Sequence, residues 1–238
     1  MQDPNRARNY SQTMMDRYPH IYMFQAAQRV PGERVAEFEQ AMSLKLGEPL
    51  LVRRFEFGQG LVPAAESAHT DYFPLVFVEP TFSDGLNILG LDISSIHFVK
   101  EAMEKARATG LAALSQPIEL IEGQQAFVMV KPSFQEGHKE PSQYALLILE
   151  TEALLKKEKI DHDGLRLTLG VGGGFNLLEI QTPELTAWEA RLFPLFVERR
   201  NIKMGSETLL LEFTHQIGTM HLNWPLISIL LVISVVAV

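Results

Sequence analysis

Apolar positions along the chain switch between a helical spacing of three to four and the alternation of a strand, and the switches divide it into elements. Residues 3–18 are polar apart from a stripe at Ala7, Tyr10, Met14 and Tyr18, which predicts a helix. The Tyr18-Pro19 step ends it, because the residue before a proline is pushed out of the helical region. A helix this polar is rarely stable alone, so the pattern predicts a partner helix. His20–Gln28 reads as a strand. Pro31 opens a helix with Val35, Phe38, Met42 and Leu46 on one face and Glu33, Glu37 and Gln40 opposite, and Gly47 stops it. Leu50–Phe57 reads as a strand, and Gly58–Thr70 as a loop rich in Gly, Pro, Ala and Ser.

The block from Phe73 to Phe134 has the most ordered detail. Phe73–Glu79 is a strand with Leu75, Phe77 and Glu79 on one face and Val76 and Val78 on the other. Ile88–Ile93 reads as a short strand. Ser94 and Ser95 are suitable N-caps for a helix with the stripe Phe98, Val99, Ala102, Met103 and Ala106, closed by Gly110. Glu119–Ile121 and Ala126–Phe134 pair as a hairpin across Glu122-Gly123. A polar linker, 135–142, precedes a second unit: strand Tyr144–Leu149, helix Thr151–Lys157, turn Asp161–Gly164, strand Leu165–Leu169, then strands at Asn176–Gln181 and Leu209–Phe213. The pattern predicts an α+β chain with two lobes in tandem.

The last segment changes the picture. Trp224–Val238 contains no charged residue, though it falls short of the roughly 20 apolar residues that span a bilayer. It reads as a transmembrane helix cut in mid-span, with Trp224 at the water–lipid boundary where indoles concentrate. The N-terminus has no apolar core of a signal peptide, so Met1 is not expected to be the native start of an exported chain.

Composition and motifs mostly exclude. The 238 residues are 46% hydrophobic and 21% charged, an ordinary globular balance. A net charge of −8 without a basic run argues against nucleic acid, and the absence of cysteine excludes disulfides and thiolate metal sites. Gly170-Val171-Gly172-Gly173-Gly174 lacks the Lys-Ser/Thr of a phosphate loop, and Phe175 stands where a dinucleotide site needs its third glycine, so it reads as a turn. His162 in DHDG has no second histidine at metal spacing. There is no GxSxG and no marked acid–base pair, so no catalytic set and no cofactor are expected. What remains is a pocket between sheet and covering loops, with polar positions at Glu79, Ser115 and Lys131, each of which also fits a solvent-facing role.

Six pieces in register resemble the CHASE domain. They are Arg34, Phe38 and Glu39 in RVPGERVAEFEQ, then FPLVFVEP, Gly90 with Asp92, Ala106–Gly110, Ser115–Leu120, and Pro132 in VKPSF. The resemblance covers residues 19–158 well and 159–224 loosely. It implies an extracytoplasmic sensor of a membrane receptor: a long N-terminal helix used for homodimerisation, two tandem PAS-like lobes, and a truncated transmembrane helix. The implied boundaries are 1–18, 19–140 for the membrane-distal ligand lobe, 141–222 for the membrane-proximal lobe, and 223–238. Output would be a cytoplasmic kinase or cyclase. In the plant cytokinin receptors of this family an Asp after the first pocket strand grips the ligand ring. Pro80 holds that position here, while Ser115 matches a Thr and keeps its hydroxyl. Asp92 is expected to cap the following helix. The expected partners are an unknown small molecule and the membrane. The expected ligand contacts are Val76, Val78, Pro80, Leu91, Ser115, Met129 and Lys131. The second reading is a module that senses an envelope or membrane protein without a small ligand.

Overall fold

The computed structural model describes residues 4–56, 58–64, 70–81, 88–120, 124–154, 164–171, 175–181, 186–219 and 222–229. The chain forms two units, the first comprising Met1–Lys156 with Lys203–Thr208 and the second Lys157–Ile202 with Leu209–Val238. Each mixes helix and sheet.

In the first unit, α1 (Pro4–Arg17) leads into β1 (Ile21–Gln28) and the short β2 (Val30–Pro31). Next come α2 (Val35–Leu46), the hairpin β3 (Arg53–Glu56) and β4 (Gly60–Pro63), then β5 (Asp71–Tyr72) and β6 (Leu75–Glu79). After these follow α3 (His97–Thr109), β7 (Ala113–Leu114), β8 (Ile118–Glu119), β9 (Gln125–Phe134), β10 (Pro141–Glu150) and α4 (Thr151–Leu154). Gly47 and Gly110, with φ of 76° and 69°, close α2 and α3 in the left-handed conformation as their position predicts. The expected α3 stripe is the buried one at Val99, Ala102, Met103 and Ala106.

The main sheet has the order β6-β1-β10-β9-β7, with β8 also on β9, and its consecutive pairs are antiparallel. Tyr144–Leu149, read from sequence as the start of a second unit, instead lies in β10 between β1 and β9. A ten-residue strand flanked by a polar linker gives no local sign of which sheet it joins, since pairing is decided by distant partners. α3 packs on one face of this sheet. Its residues share a core with Met23, Ala27, Leu75, Val78, Val128, Val130, Leu146 and Ile148. α1 packs on the other face, on its own chain's sheet: the Tyr10 ring meets Phe24 edge-on at 6.3 Å. Val30, Val35, Val52 and Tyr72 form a smaller core beside α2.

Ile88–Ile93 is not a ladder strand. It is stitched by single bridges, Leu91 to Arg53 and Asp92 to Pro74, and a 3₁₀ turn follows at Ile93–Ser95. Gly90 sits there with φ of 81°, and a Cβ on it would lie 2.3 Å from the Leu51 carbonyl oxygen, so only glycine fits. Residues 203–208 group with this unit: Ser206 donates its N–H to the Ala112 carbonyl at 2.7 Å, and Lys105 pairs with Glu207 at 2.5 Å.

β11 (Leu165–Val171), β12 (Phe175–Gln181), α5 (Ala187–Leu192), β13 (Leu195–Met204) and β14 (Glu207–Gln216) follow in order and make up the second unit, apart from the 203–208 ends of β13 and β14. The sheet runs β12-β11-β14-β13. α5 and β13 have no sequence signal strong enough to predict them. The segment TAWEARLFPLFV has no clear period, and nearly all of β13 is exposed. Trp224–Ile229 is helical, and no helix among the described residues is long and apolar enough to cross a membrane. Residues 230–238 of the expected span lie outside the described residues, as do Glu122-Gly123, most of the expected Asp161–Gly164 turn, His162 and Gly172–Gly174.

Glu189 ties the second unit together. Its Oε2 accepts from Thr186 Oγ1 at 2.5 Å, closing a capping box on α5, and its Oε1 accepts from the Thr219 N–H at 3.0 Å and from Thr219 Oγ1. The Thr186 hydroxyl and then the Thr219 donors hold its carboxyl at about 2, against an ordinary 4.5. A depressed folded pKa means that the unfolded chain binds more protons in acid. The contribution is therefore complete above pH 4.5 and lost as pH falls through about 2. Glu189→Gln is expected to flatten the acid limb of the unfolding curve across that window. The chain's only 2 tryptophans, Trp188 and Trp224, both belong to this unit, so their fluorescence reports it directly. An unchanged slope between pH 4.5 and 2 would contradict this assignment.

Candidate functional site

Register sorts the side chains of the main sheet into rows. One row runs Val78, Gln25, Leu146, Val130, Ala113 across five strands. It belongs to the face that packs against α3 and the Ile88–Ile96 segment. The next row, Glu79, Phe24, Leu147, Met129, Leu114, belongs to the face under α1. The row after that, Phe77, Ala26, Ala145, Lys131, is also on the α1 side of the sheet.

The seven expected contacts separate along these rows. Val78 and Leu91 lie together in the α3-side core. Pro80 follows β6 directly, through a cis Glu79-Pro80 bond. Val76 is the extra residue of a bulge, because Ala26 pairs with Phe77 and Ala27 with Leu75. The bulge resets the alternation, so Leu75 and Val78 share the core face, whereas uninterrupted alternation pairs Val76 with Val78. Met129 and Lys131 face the other side, since Val128 and Val130 are the β9 residues in the α3-side core. Ser115 is 1% exposed, and its hydroxyl is used twice by backbone, accepting from the Val128 N–H at 2.9 Å and donating to the Gln116 carbonyl at 2.8 Å.

Gln25 was not among the expected contacts. It is 9% exposed on the α3-side face, beside Val78, and its Nε2 lies 2.8 Å from Met23 Sδ. A carboxamide inside the otherwise apolar run IYMFQAA is the available signal. The same core ends in Tyr144, whose burial pushes its hydroxyl up to about 12 and whose ring meets Phe73 edge-on at 5.2 Å.

Two carboxylates fix the scaffold around this face. Asp92, fully buried, accepts from the Phe73 N–H at 2.9 Å, the Ser94 N–H at 3.1 Å and Ser94 Oγ at 2.7 Å. It caps the 3₁₀ turn Ile93–Ser95, while α3 itself starts after Ile96 without a side-chain cap, so the expected capping of that helix by Ser94, Ser95 or Asp92 is not found. Glu39 accepts from the Val52 N–H at 2.7 Å and holds α2 to the strand region before β3. Two open cavities flank α2. One, of about 180 Å³, is lined by Leu46, Pro49, Leu50, Leu51, Arg53 and Leu89 among others. The other, of about 330 Å³, has Arg29, Val30, Arg34, Glu37 and Phe38 on its walls. Neither contains any of the seven residues.

On the α1 face, Glu79 is 5% exposed and receives Arg8 Nε and Gln12 Nε2, each at 3.0 Å. This carboxylate binds the N-terminal helix to the strand that leads into Pro80.

The chain belongs to the CHASE domain family, whose model matches residues 2–156, the greater part of the first unit. CHASE domains are extracytoplasmic sensory domains of membrane receptors. Similar solved structures include the periplasmic sensory domain of the Campylobacter jejuni chemoreceptor Tlp1, at 13% identity and a TM-score of 0.49, covering 90% of this chain and 79% of that one. The ligand-binding domain of the Pseudomonas aeruginosa PAO1 amino acid chemoreceptor PctC, in complex with GABA, is 14% identical with a TM-score of 0.45, covering 90% and 82%. An extracellular ligand binding receptor from Desulfohalobium retbaense is 13% identical with a TM-score of 0.45, and the matched region is 33% of its chain and 88% of this one. No curated protein matches the sequence.

Two outcomes follow from these contacts. Asp92→Ala strands the Phe73 and Ser94 N–H donors in a buried site and is expected to cost about 2–4 kcal/mol in urea unfolding followed by circular dichroism, with Asp92→Asn recovering part. Glu79→Ala is expected to raise hydrogen–deuterium exchange across residues 4–17 while leaving β1 and β10 protected. Equal protection of α1 in the variant and the parent would show that the helix is held by something else.

Proposed function

We propose that this chain is the small-molecule sensing part of a transmembrane signalling receptor, and that the ligand is held by the first unit on the α3-side face of the main sheet. Family membership supports the sensory role. The observation that carries the site is the Val78–Gln25 row: one buried carboxamide among apolar side chains, facing a cover segment that includes Leu91 and follows Pro80. This is the composition of a small-ligand site, apolar walls with few orienting polar groups. The contacts in this reading are Gln25, Val78, Pro80 and Leu91, with Val76 at the edge. Ser115 supports the wall through the backbone. Met129 and Lys131 lie beyond the sheet on the α1 side.

Occupancy would change the packing between the sheet and its cover, and β6 carries that change to Glu79 and so to α1. Only a ligand that binds one arrangement better than the other shifts the balance between them. The reading includes two PAS-like lobes, a homodimer through the N-terminal helix, an anchor formed by the C-terminal apolar run, and an output domain on the cytoplasmic side.

A thermal-shift screen of the chain against amino acids, organic acids and nucleobases, followed by calorimetric titration of the hits, tests the site. Gln25→Leu and Val78→Phe are expected to weaken a hit at least tenfold, about 1.4 kcal/mol, while Lys131→Ala leaves it unchanged. A hit equally sensitive to Lys131→Ala and insensitive to Gln25→Leu would move the site to the other face. The absence of any hit would favour the protein-sensing alternative.

A further inference from the structure

The second unit carries an apolar surface that the sensing role does not use. Trp188 and Leu192 on α5, Phe196 at the start of β13, and Trp224, Leu226 and Ile229 near the C-terminus are each more than half exposed. Scattered exposed apolar residues are ordinary, but these belong to one end of the unit. Glu189 of α5 is bonded to Thr219, and the Thr219 carbonyl accepts from Trp224 Nε1 at 3.1 Å. The carbonyls after α5 are tied to the same region, Phe193 by Gln216 Nε2 at 2.8 Å and Pro194 by the Ile217 N–H at 3.3 Å. Thus α5, the first residues of β13 and the Trp224–Ile229 helix are held side by side through hydrogen bonds.

The charges at this end are arranged for a lipid surface. The segment TAWEARLFPLFV has two charged residues, Glu189 and Arg191. Glu189 is turned inward onto its threonines. Arg191 is exposed, on the last turn of α5. What faces outward is therefore tryptophan, leucine and phenylalanine with a cation, the set that settles at the headgroup–acyl boundary, where indoles prefer to lie and a guanidinium meets phosphate. Trp188 and Leu192 are four apart and share one face of α5. Immediately beyond the described helix, the sequence to Val238 stays free of charge.

We infer that α5 is a membrane foot: Trp188 and Leu192 rest in the interfacial layer of a phospholipid bilayer, beside the point where the C-terminal run enters it. This rests on the anchor proposed above, and the two separate experimentally. Trp224→Phe leaves Trp188 as the only tryptophan. The full chain carrying that substitution is mixed with vesicles of phosphatidylcholine and phosphatidylglycerol, with and without brominated acyl chains, and followed by flotation and by fluorescence. The expected result is flotation with Trp188 emission shifted to the blue and quenched by the brominated lipid. Flotation with Trp188 unquenched overturns the foot and leaves the anchor standing, and this includes the case in which a second copy of the chain covers the patch. Flotation that disappears in Trp188→Ser/Leu192→Asp shows that the foot alone holds the protein and overturns the anchor. No flotation overturns both. All three substitutions fall on exposed side chains, so the folded state survives to be measured.

Discussion

The main sheet of the first unit packs α3 on one face and α1 on part of the other, and that constraint governs nearly everything else. β1, the first strand, lies inside the sheet between β6 and β10, so its alternation is copied across the register in both directions. One row is apolar apart from Gln25, and its neighbour carries Glu79 and Met129 on the α1 side. A slip of one residue would put the carboxylate into the α3 core and the core residues under α1. The bulges at Tyr22 and Val76 are where the alternation is reset, and they fall at the start of β1 and inside β6, on either side of the candidate site.

Carboxylates do the second part of the work, as acceptors for other parts of the chain. Asp92 takes the N–H groups of Phe73 and Ser94, Glu39 takes that of Val52, Glu79 takes α1 side chains, and Glu189 joins α5 to Thr219. Hydrogen bonds to a charged group are stronger than neutral ones, and each here ties together parts of the chain that are distant from one another or from the nearest ladder. The cover segment is held from both sides. Beside its isolated bridges to β3 and Pro74 it exchanges backbone hydrogen bonds with Arg53 and Leu75 and donates from Ile93 to the Phe73 carbonyl, and Asp92 and the Arg53 contact to the Leu89 carbonyl add side-chain bonds to these.

Local signals carried the helices well. The α3 stripe and the glycines that close α2 and α3 are written in spacing and conformation, which depend on few distant partners, whereas of the expected α2 stripe only Val35 is buried, Leu46 is exposed, and Pro31 pairs in β2 instead of opening the helix. The family pieces were legible for the same reason, as short motifs in order. What could not be read depends on pairing. β10 joins the first sheet because β1 and β9 flank it, and nothing within Pro141–Glu150 says so. The cap at Asp92 is readable as a type, but its second partner, the Phe73 N–H between β5 and β6, is distant in sequence and is not. The bulge at Val76 inverts the facing of part of β6, and the parity of β9, which puts Val128 and Val130 on the α3 side and Met129 and Lys131 on the α1 side, is fixed by its pairing with β10. Gln25 stands out from the strand only once its row is known.

The family's motif residues are largely consumed by the scaffold. Glu39, Asp92 and Ser115 spend their polar groups on backbone, which explains how a motif can mark the fold without naming a ligand. On β6, Pro80 offers neither charge nor N–H, and the neighbouring carboxylate of Glu79 points to α1. An acidic grip from that strand is therefore absent on the proposed ligand face. What that face does offer is the Gln25 carboxamide, a donor and an acceptor side by side without charge, set among aliphatic walls. Such a group discriminates by hydrogen-bond pattern rather than by countercharge. A site that hydrogen-bonds its ligand rejects analogues lacking the matching group far more strongly than an apolar wall rejects a change of size. On this reading the ligand's identity is set at Gln25 and along the cover segment, while the carboxylates that mark the family hold both in place.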